Sequence, residues 1–277
     1  MDNIRLFLSL PFQRDGLSTD YPDCVKTFRA PDLDRYLGAL REEIVSAAYA
    51  LDDCSISELR FGVGSFCHIP SVNLEALYRL VSKHYHLSPR LSVSLRTAPR
   101  GFDFYSLTAA KHLKEARIDF LTPCLDPDVL REMDFCPPED ILSALDTCFQ
   151  SGYYRFTCTL SPRRCTSPGK LGEAISEMKQ RKPGAFMFDS DLNDSQRHSV
   201  KNALGDDYHE EANKWLRNDF SITYDENIDQ IGCGLCAVTS VDDVKVKSTS
   251  DLAFYCDHPD EFDRLIHPLA PDEKVLF

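Results

Sequence analysis

Apolar and polar residues alternate with a period of two in several short runs, and a stretch with helical spacing follows each run. Residues 56–61 alternate in this way, and Leu74, Leu77 and Val81 then recur at the spacing of one helix face. A glycine-containing turn separates the two patterns. The sequence therefore predicts a strand, a tight turn and an amphipathic helix in this part of the chain.

The same order of short strand and amphipathic helix repeats as far as residue 188. The first helix has an apolar stripe that includes Leu33, Leu40 and Ile44, with Asp32 near its positive amino end. Repeated units of this kind predict a parallel sheet whose functional loops follow the carboxyl ends of the strands. Strands are predicted at 4–10, 56–61, 91–95, 118–121, 153–160 and 185–188, and helices at 31–51, 74–84, 105–115, 137–150 and 168–180.

The pattern becomes more polar after residue 188, where several aspartates follow the last apolar run. We place a domain boundary here, between a section covering residues 1–188 and a C-terminal α+β section covering 189–277. In the second section we predict an amphipathic helix at about 208–216, a pair of strands within 220–246, and a helix that starts at Ser250.

Composition and charge exclude several classes of partner. The 277 residues carry a formal net charge of -13, which disfavours nucleic acid and anionic lipid because both require a basic face. No apolar run approaches the length of a membrane span, and the N-terminus lacks the pattern of a signal peptide. The odd count of 11 cysteines indicates reduced thiols. We therefore expect a soluble cytoplasmic protein with no nucleic acid or membrane partner.

Five short sequence motifs occur in a characteristic order along the chain. They are Phe61-Gly62-Val63-Gly64-Ser65 after a strand, His84-Tyr85-His86-Leu87-Ser88-Pro89 at a helix end, Asp126-Pro127-Asp128-Val129-Leu130, Ile231-Gly232-Cys233-Gly234-Leu235-Cys236-Ala237, and Ser250-Asp251-Leu252-Ala253-Phe254-Tyr255. In the residues of these motifs and in their order, the chain resembles the radical-SAM family that contains the oxygen-independent coproporphyrinogen oxidases and the related haem chaperones. The resemblance covers roughly residues 4–262.

The resemblance implies a partial (βα)6 barrel of the radical-SAM type followed by a small C-terminal α+β section. It also implies a four-iron, four-sulfur cluster held by three cysteines after the first strand, with S-adenosylmethionine (SAM) on the fourth iron. The three positions that the resemblance assigns to these thiolates hold Gln13, Leu17 and Asp20, and Cys24 is the only cysteine nearby. We therefore predict that the iron–sulfur cluster and the radical chemistry are absent.

Two further departures concern SAM itself. The resemblance places Arg96 where the family has the Glu of Glu-Ala-Asn-Pro, and Pro123 where it has the Gln of Gly-Val-Gln-Ser. An exchange of Glu for Arg reverses the charge offered to an ammonium group, so we predict that SAM binding is absent. An arginine at a strand end in a cleft should meet either an internal carboxylate, from Asp119 or Asp20, or an anionic ligand.

The remaining cofactor-binding candidates each have a structural alternative. Gly62, Gly64 and Ser65 offer backbone amides that can cradle a phosphate or carboxylate, although a plain strand-to-helix turn explains the same residues. Cys136 precedes a proline, as do some cysteines whose thiolate binds haem iron, although a chance pairing explains this too. 

Two pairs of metal-ligating residues also have alternatives. His84 and His86 can be axial haem ligands or packed side chains, and Cys233 and Cys236 have the spacing of half a metal site within a stretch typical of a buried strand. We therefore assign no metal ligands.

Taken together, the retained strand-helix order and the missing thiolates predict a catalytically degenerate radical-SAM-like protein, a pseudoenzyme with a binding, regulatory or partner-scaffold role. Its partner would be a protein or an anionic small molecule. One alternative is a haem or tetrapyrrole carrier. Another is an enzyme that uses the same cleft without a cluster, with Cys24, Arg96 or Asp119 as participants, although no nucleophile, base and orienting group can be assembled from the sequence.

Overall fold

A computed structural model describes residues 2–13, 26–27, 29–222, 228–242, 244–259, 261 and 266–268. The helices are α1 (Ala30–Ala50), α2 (Ser71–His84), α3 (Phe104–His112), α4 (Pro127–Glu132), α5 (Pro138–Gln150), α6 (Pro168–Lys179), α7 (Asp194–Leu204) and α8 (Leu252–Asp257). The strands are β1 (Asp2–Leu10), β2 (Phe12–Gln13), β3 (Lys26–Thr27), β4 (Cys54–Val63), β5 (His86–Thr97), β6 (Arg117–Leu121), β7 (Phe156–Leu160), β8 (Ala185–Phe188), β9 (Tyr208–Glu211), β10 (Lys214–Arg217), β11 (Gln230–Cys233), β12 (Val238–Val241), β13 (Val244–Ser248) and β14 (Ile266–Pro268).

Twelve strands form one open mixed sheet in the order β14-β13-β12-β11-β1-β4-β5-β6-β7-β8-β10-β9. Its centre is the six-stranded parallel series β1-β4-β5-β6-β7-β8, which confirms the predicted partial barrel. The C-terminal section extends this series at both edges, because β11 pairs parallel with β1 and β10 pairs antiparallel with β8. The domain boundary after residue 188 stays a prediction.

The parallel series advances in one direction, so right-handed crossovers place the connecting helices on one face of the sheet. Contacts of α1 with α2, α2 with α3, and α3 with α5 agree with this arrangement. Alternate strand residues such as Leu8, Phe61 and Leu95 are buried in a continuous apolar core with these helices. We call the opposite face of the parallel series the inner face.

Local signals fix where the helices begin. Pro31 and Asp32 lie in the first turn of α1. Amides in this turn have no partner within the helix, so proline costs no hydrogen bond there, and the acidic side chain faces the positive end of the helix dipole. Asp103 caps α3 by accepting from the amide of Ser106 at 2.8 Å. Asn193 opens α7 with a capping box.

The helix predicted at about 208–216 is wrong, because these residues form the hairpin of β9 and β10. The open edge of β8 supplies a strand partner for this stretch. Trp215 pairs opposite Phe186 of β8 and is 4% exposed. Pairing with an apolar edge strand thus outweighs local helical spacing.

The rest of the C-terminal prediction is confirmed in part. Three strands, β11 to β13, lie where a pair was predicted, and α8 follows two residues after Ser250. Within the described part of the chain, no helix has both the length and the apolar character needed to cross a membrane.

Candidate functional site

Polar and charged residues occupy most of the inner face, in rows that follow the register between strands. Strands of a parallel sheet that are buried on both faces are usually apolar throughout, so this polarity makes the inner face the candidate functional surface. From the amino to the carboxyl ends of the strands, the first row holds Gln230, Arg5, Glu58 and Ser92; the second holds Gly232, Phe7, Arg60, Ser94 and Arg117; the third holds Ser9, Gly62, Arg96, Asp119 and Thr157; and the fourth holds Leu121, Thr159, Met187 and Lys214.

Glu58 is the centre of an ion network in the first two rows. Its Oε2 accepts from Nε of Arg5 at 2.7 Å and from Nη2 of Arg60 at 2.8 Å, and all three residues are buried. Burial alone would raise the pKa of Glu58, but the hydrogen bond from Arg5 and the charge of Arg60 outweigh it and lower the pKa. This end of the inner face is therefore a closed ion network.

Asp119 is the centre of a second network in the next rows. Arg117 donates to both of its carboxylate oxygens, from Nε at 2.6 Å and from Nη2 at 3.0 Å, and the Thr157 hydroxyl donates at 2.8 Å. Burial would raise the pKa of Asp119, but Arg117 and Thr157 outweigh burial and lower it.

Arg96 lies in the third row, where it is paired with Asp119 of β6, and it follows Leu95, which is paired with Phe61, the residue before Gly62. It is the penultimate residue of β5 and is partly buried, so it reaches the carboxyl end of the inner face as the sequence predicted. Three residues of the fourth row, at the carboxyl ends of their strands, are also partly exposed: Leu121, Thr159 and Met187. The carboxyl end of the inner face is thus more open than the closed network around Glu58. We call this region the rim.

The turn after β4 directs its backbone amides into the fold. The amide of Gly64 donates to the carbonyl of Leu10 at 3.0 Å, and the amide of Ser65 donates to the carbonyl of Phe12 at 3.1 Å. Val63 has a φ of 74°, a conformation that β-branched residues rarely adopt. These contacts give the turn a structural role, and its role as an anion cradle stays a prediction.

Ser65 and Gly62 also make contacts within the fold. The Ser65 hydroxyl bonds to the Thr97 hydroxyl at 2.8 Å and accepts from the amide of Ala98 at 2.9 Å. A side chain on Gly62 would come within 2.7 Å of the Phe7 ring. The turn therefore joins the ends of β1, β4 and β5.

The cluster region lies only partly within the described residues. Gln13, at the first position that the resemblance assigns to a thiolate, ends β2 and is 4% exposed. Leu17, Asp20 and Cys24 lie outside the described residues, so the predicted pairing of Arg96 with Asp20 stays untested. Among the residues that the structure describes, no group of three or more His, Cys, Asp or Glu side chains is placed to hold a metal ion.

Solved structures with the same arrangement place this fold among known proteins. Coproporphyrinogen III oxidase from Escherichia coli, described as a radical SAM enzyme, aligns with a TM-score of 0.78 over 98% of this chain and 73% of its own, at 17% identity. The chain has a radical-SAM-type fold. At this identity the likeness shows the fold of the barrel, and the roles of individual residues do not follow from it.

Other solved structures align less well. The radical SAM methyltransferase TsrM from Kitasatospora setae gives a TM-score of 0.44 at 14% identity, over 68% of this chain and 36% of its own. Elp3 from Methanocaldococcus infernus gives 0.42 at 13% identity, over 73% and 50%. No protein-family model matches the sequence, and no curated protein matches it.

The haem-ligand candidates lie away from the inner face of this radical-SAM-type barrel. Cys136 is 1% exposed within the apolar core, two residues before α5. His84 ends α2 and is partly buried, whereas His86 begins β5, is exposed and lies 3.8 Å from Asp52. A haem iron would reach Cys136 only if the packing opened, so this location does not favour the haem-ligand hypothesis.

Cys233 and Cys236 are buried beside a carboxylate. Both are at most 1% exposed, and burial raises the pKa of Cys233 far above that of a free thiol, with a further contribution from Glu43. This favours the structural interpretation of the pair over the metal half-site.

Sequence reasoning missed the charged rows of the inner face, although a signal was present. Arg5, Glu58 and Arg60 occupy the polar positions of alternating strands, and Arg117 stands two residues before Asp119 and therefore on the same face. Polar residues that alternate within parallel strands also indicate a polar barrel interior.

Proposed function

We propose that this protein binds an anionic small molecule at the rim of its inner face and does not perform radical SAM chemistry. The observation that carries this proposal is the charge of the first three rows of the inner face. Four arginines (Arg5, Arg60, Arg96, Arg117) stand there against two carboxylates (Glu58, Asp119), an excess of two positive charges in a chain whose net charge is -13. A basic surface inside an acidic protein concentrates anions locally.

The arrangement of these charges favours the rim over the deeper rows. Glu58 neutralises part of the charge of Arg5 and Arg60 in the buried network, and Asp119 forms an ion pair with Arg117. Arg96, in the third row, is itself partly exposed, and a guanidinium can hold a carboxylate or phosphate through two parallel hydrogen bonds. The deeper network would orient Arg96 and keep the local potential positive.

The same features argue against an enzyme that uses this cleft without a cluster. Asp119 is held by Arg117 and Thr157 with a lowered pKa, so it is a weak proton acceptor near neutral pH. Arg96 remains protonated at any working pH and cannot serve as a base. These residues suit binding better than proton transfer.

A tetrapyrrole carrier is the second candidate. It is favoured by the fold likeness to an enzyme described as coproporphyrinogen III oxidase and by the guanidinium at the rim, which would meet the carboxylates of such a molecule. Under this proposal the contacts are carboxylate–arginine pairs, and Cys136 has no part in them.

The test is titration with citrate and with coproporphyrin III, followed by calorimetry and, for the porphyrin, by absorption. Arg96→Gln should weaken binding at least tenfold, about 1.4 kcal/mol, because one charge-assisted contact is lost. Arg90→Gln is the matched control, since Arg90 is an exposed arginine near the other end of β5. The Arg90→Gln variant should have the same affinity for both compounds and the same melting temperature as the wild type.

The outcomes separate the candidates. Binding of citrate and porphyrin with similar Arg96 dependence supports a general anion site, whereas binding of the porphyrin alone supports the tetrapyrrole carrier. The proposal is overturned if the wild type binds neither compound, or if Arg96→Gln binds both as tightly as the wild type does.

A further inference from the structure

A cavity lies at the opposite end of the barrel from the rim. Its volume is about 630 Å³, which suits a small metabolite. Tyr154 and Lys182 line it just before β7 and β8 begin, and Arg217 lines it from the last position of β10, which runs antiparallel to β8. All three therefore mark the amino ends of the parallel strands, away from Arg96.

Three cations meet in this cavity together with two carboxylates. Lys179, Lys182 and Arg217 supply the positive charges, and Asp207 and Asp219 supply the negative ones. Lys179 Nζ lies 2.8 Å from Asp207, and Arg217 is paired with Asp219. The cavity therefore has one more cation than carboxylate.

Backbone and ring contacts hold two of these cations independently of the carboxylates. Lys179 donates to the carbonyl of Leu204 at 2.7 Å, and Arg217 donates to the carbonyl of Lys182. The guanidinium of Arg217 also lies 5.6 Å from the centre of the Tyr154 ring. Both cations would therefore keep their positions if the carboxylates turned away.

The carboxylates themselves are easy to displace. The side chains of Asp207 and Asp219 are 71% and 74% exposed, and ion pairs with such exposed partners contribute little to stability. An anion with more charge and more acceptor oxygens could replace them without leaving a buried charge unpaired.

Lys182 completes the arrangement between the two ion pairs. The pKa of Asp207 is lowered mainly by Lys179 and further by Lys182, and the pKa of Asp219 is lowered mainly by Arg217 and further by Lys182. Lys182 thus acts on both carboxylates, and its side chain is exposed at the cavity.

We propose that this cavity binds the phosphate group of a small phosphomonoester, with Lys179, Lys182 and Arg217 as its cationic contacts. A phosphomonoester carries nearly two negative charges at neutral pH and three acceptor oxygens, which matches three converging donors better than a single carboxylate does. Ser176 and Gln180 also line the cavity, and both residue types carry side chains that can form hydrogen bonds with the rest of the ligand. The structural alternative is that the ion pairs only fasten the end of α6 to the residue before β9 and the end of β10 to the residues that follow it.

Calorimetric titration of the full chain with AMP and with ribose 5-phosphate tests the proposal, with adenosine as the unphosphorylated probe. Lys182→Gln should weaken binding of both phosphates at least tenfold, and Lys182→Glu should abolish it, while both variants keep the wild-type melting temperature because Lys182 is exposed. Lys83→Gln, an exposed lysine in the last turn of α2, is the matched control and should bind normally. 

Each other outcome overturns the proposal. It fails if the wild type shows no saturable binding of either phosphate, if Lys182→Gln binds as tightly as the wild type, or if adenosine binds as tightly as AMP. Arg96→Gln should leave this binding unchanged, which distinguishes the cavity from the rim.

Discussion

At the scale of single residues, Gly64 shows how a turn can be fixed by its surroundings. A Cβ atom at this position would lie 2.5 Å from the carbonyl oxygen of Phe12 and 2.6 Å from that of Leu10, and backbone atoms cannot move aside as a side chain can. Gly64 thus lets the turn after β4 pack against the end of β1. The sequence predicts the turn, but only the structure shows why this position needs glycine.

We expect Gly64→Ala to destabilise the protein by about 3 kcal/mol or more, because the added methyl group meets two carbonyl oxygens of the packed backbone. Gly38→Ala is the control, since a Cβ at Gly38 meets nothing within 4 Å and alanine favours the interior of α1. It should stabilise the protein by about 0.5–1 kcal/mol. Urea denaturation measures both. Equal stability of the two variants would contradict this account of the turn.

At the scale of elements, Glu43 links three separate parts of the chain. It lies within the buried stripe of α1 and accepts from the Tyr255 hydroxyl of α8 at 2.5 Å and from the amide of Gly234 at 2.7 Å. Tyr36 lies two helical turns before Glu43 on the same face of α1; its hydroxyl donates to the carbonyl of Ser9 at 2.7 Å and accepts from the amide of Leu235, after β11. The C-terminal section is thus tied to the barrel through a buried carboxylate.

This carboxylate makes stability depend on pH in a direction that can be predicted. Burial raises the pKa of Glu43 from 4.5 to about 7, although the Tyr255 and Gly234 hydrogen bonds partly oppose the shift. The folded state therefore holds this proton more tightly than the unfolded state. The stability that Glu43 contributes is complete below about pH 4.5 and is lost as the pH rises to about 7.

We expect Glu43→Gln to be more stable than the wild type by about 2 kcal/mol at pH 8 and about equally stable near pH 4, because glutamine keeps the acceptor oxygen and carries no charge. Glu42→Gln, at the exposed neighbouring position, should show no such pH dependence. The measurement is urea denaturation between pH 4 and pH 8. A Glu43→Gln variant that is less stable than the wild type at pH 8 would show that the ionised form is the favoured one.

At the scale of the whole molecule, charge is distributed unevenly. The chain is strongly acidic, yet arginines predominate on the first rows of the inner face. Glu58 and Asp119, which hold these arginines, have lowered pKa values, so their contribution to stability is present above about pH 4 and is lost as the pH falls further. Their effect opposes that of Glu43, so the molecule should be most stable at mildly acidic pH.

We expect anaerobic reconstitution with iron and sulfide to leave much less than one cluster per chain, because Gln13 stands at the first of the three positions that the resemblance assigns to thiolates. Calorimetry should likewise detect no micromolar affinity for SAM, whose ammonium group would meet Arg96. A radical SAM enzyme with its three cysteines, treated in parallel, is the control. About four iron and four sulfide per chain would contradict the prediction.

Sequence alone determined the parallel series, its helices and the position of Arg96 near a strand end. These follow from local periodicity, since a strand side chain alternates every two residues and a helix face recurs every three to four. The charged rows were open to the same reasoning, because Arg117 and Asp119 share a face by spacing alone.

Only the tertiary structure decided how distant segments meet. The contact between Glu43 and Tyr255 joins residues 212 apart in the chain, and no local pattern encodes such a distance. Residues 208–217 became a hairpin because the edge of β8 was available as a partner, which depends on the assembled sheet. The convergence of Lys179, Lys182 and Arg217 likewise depends on the return of β10 to that edge, because tertiary packing alone brings these cations into one cavity.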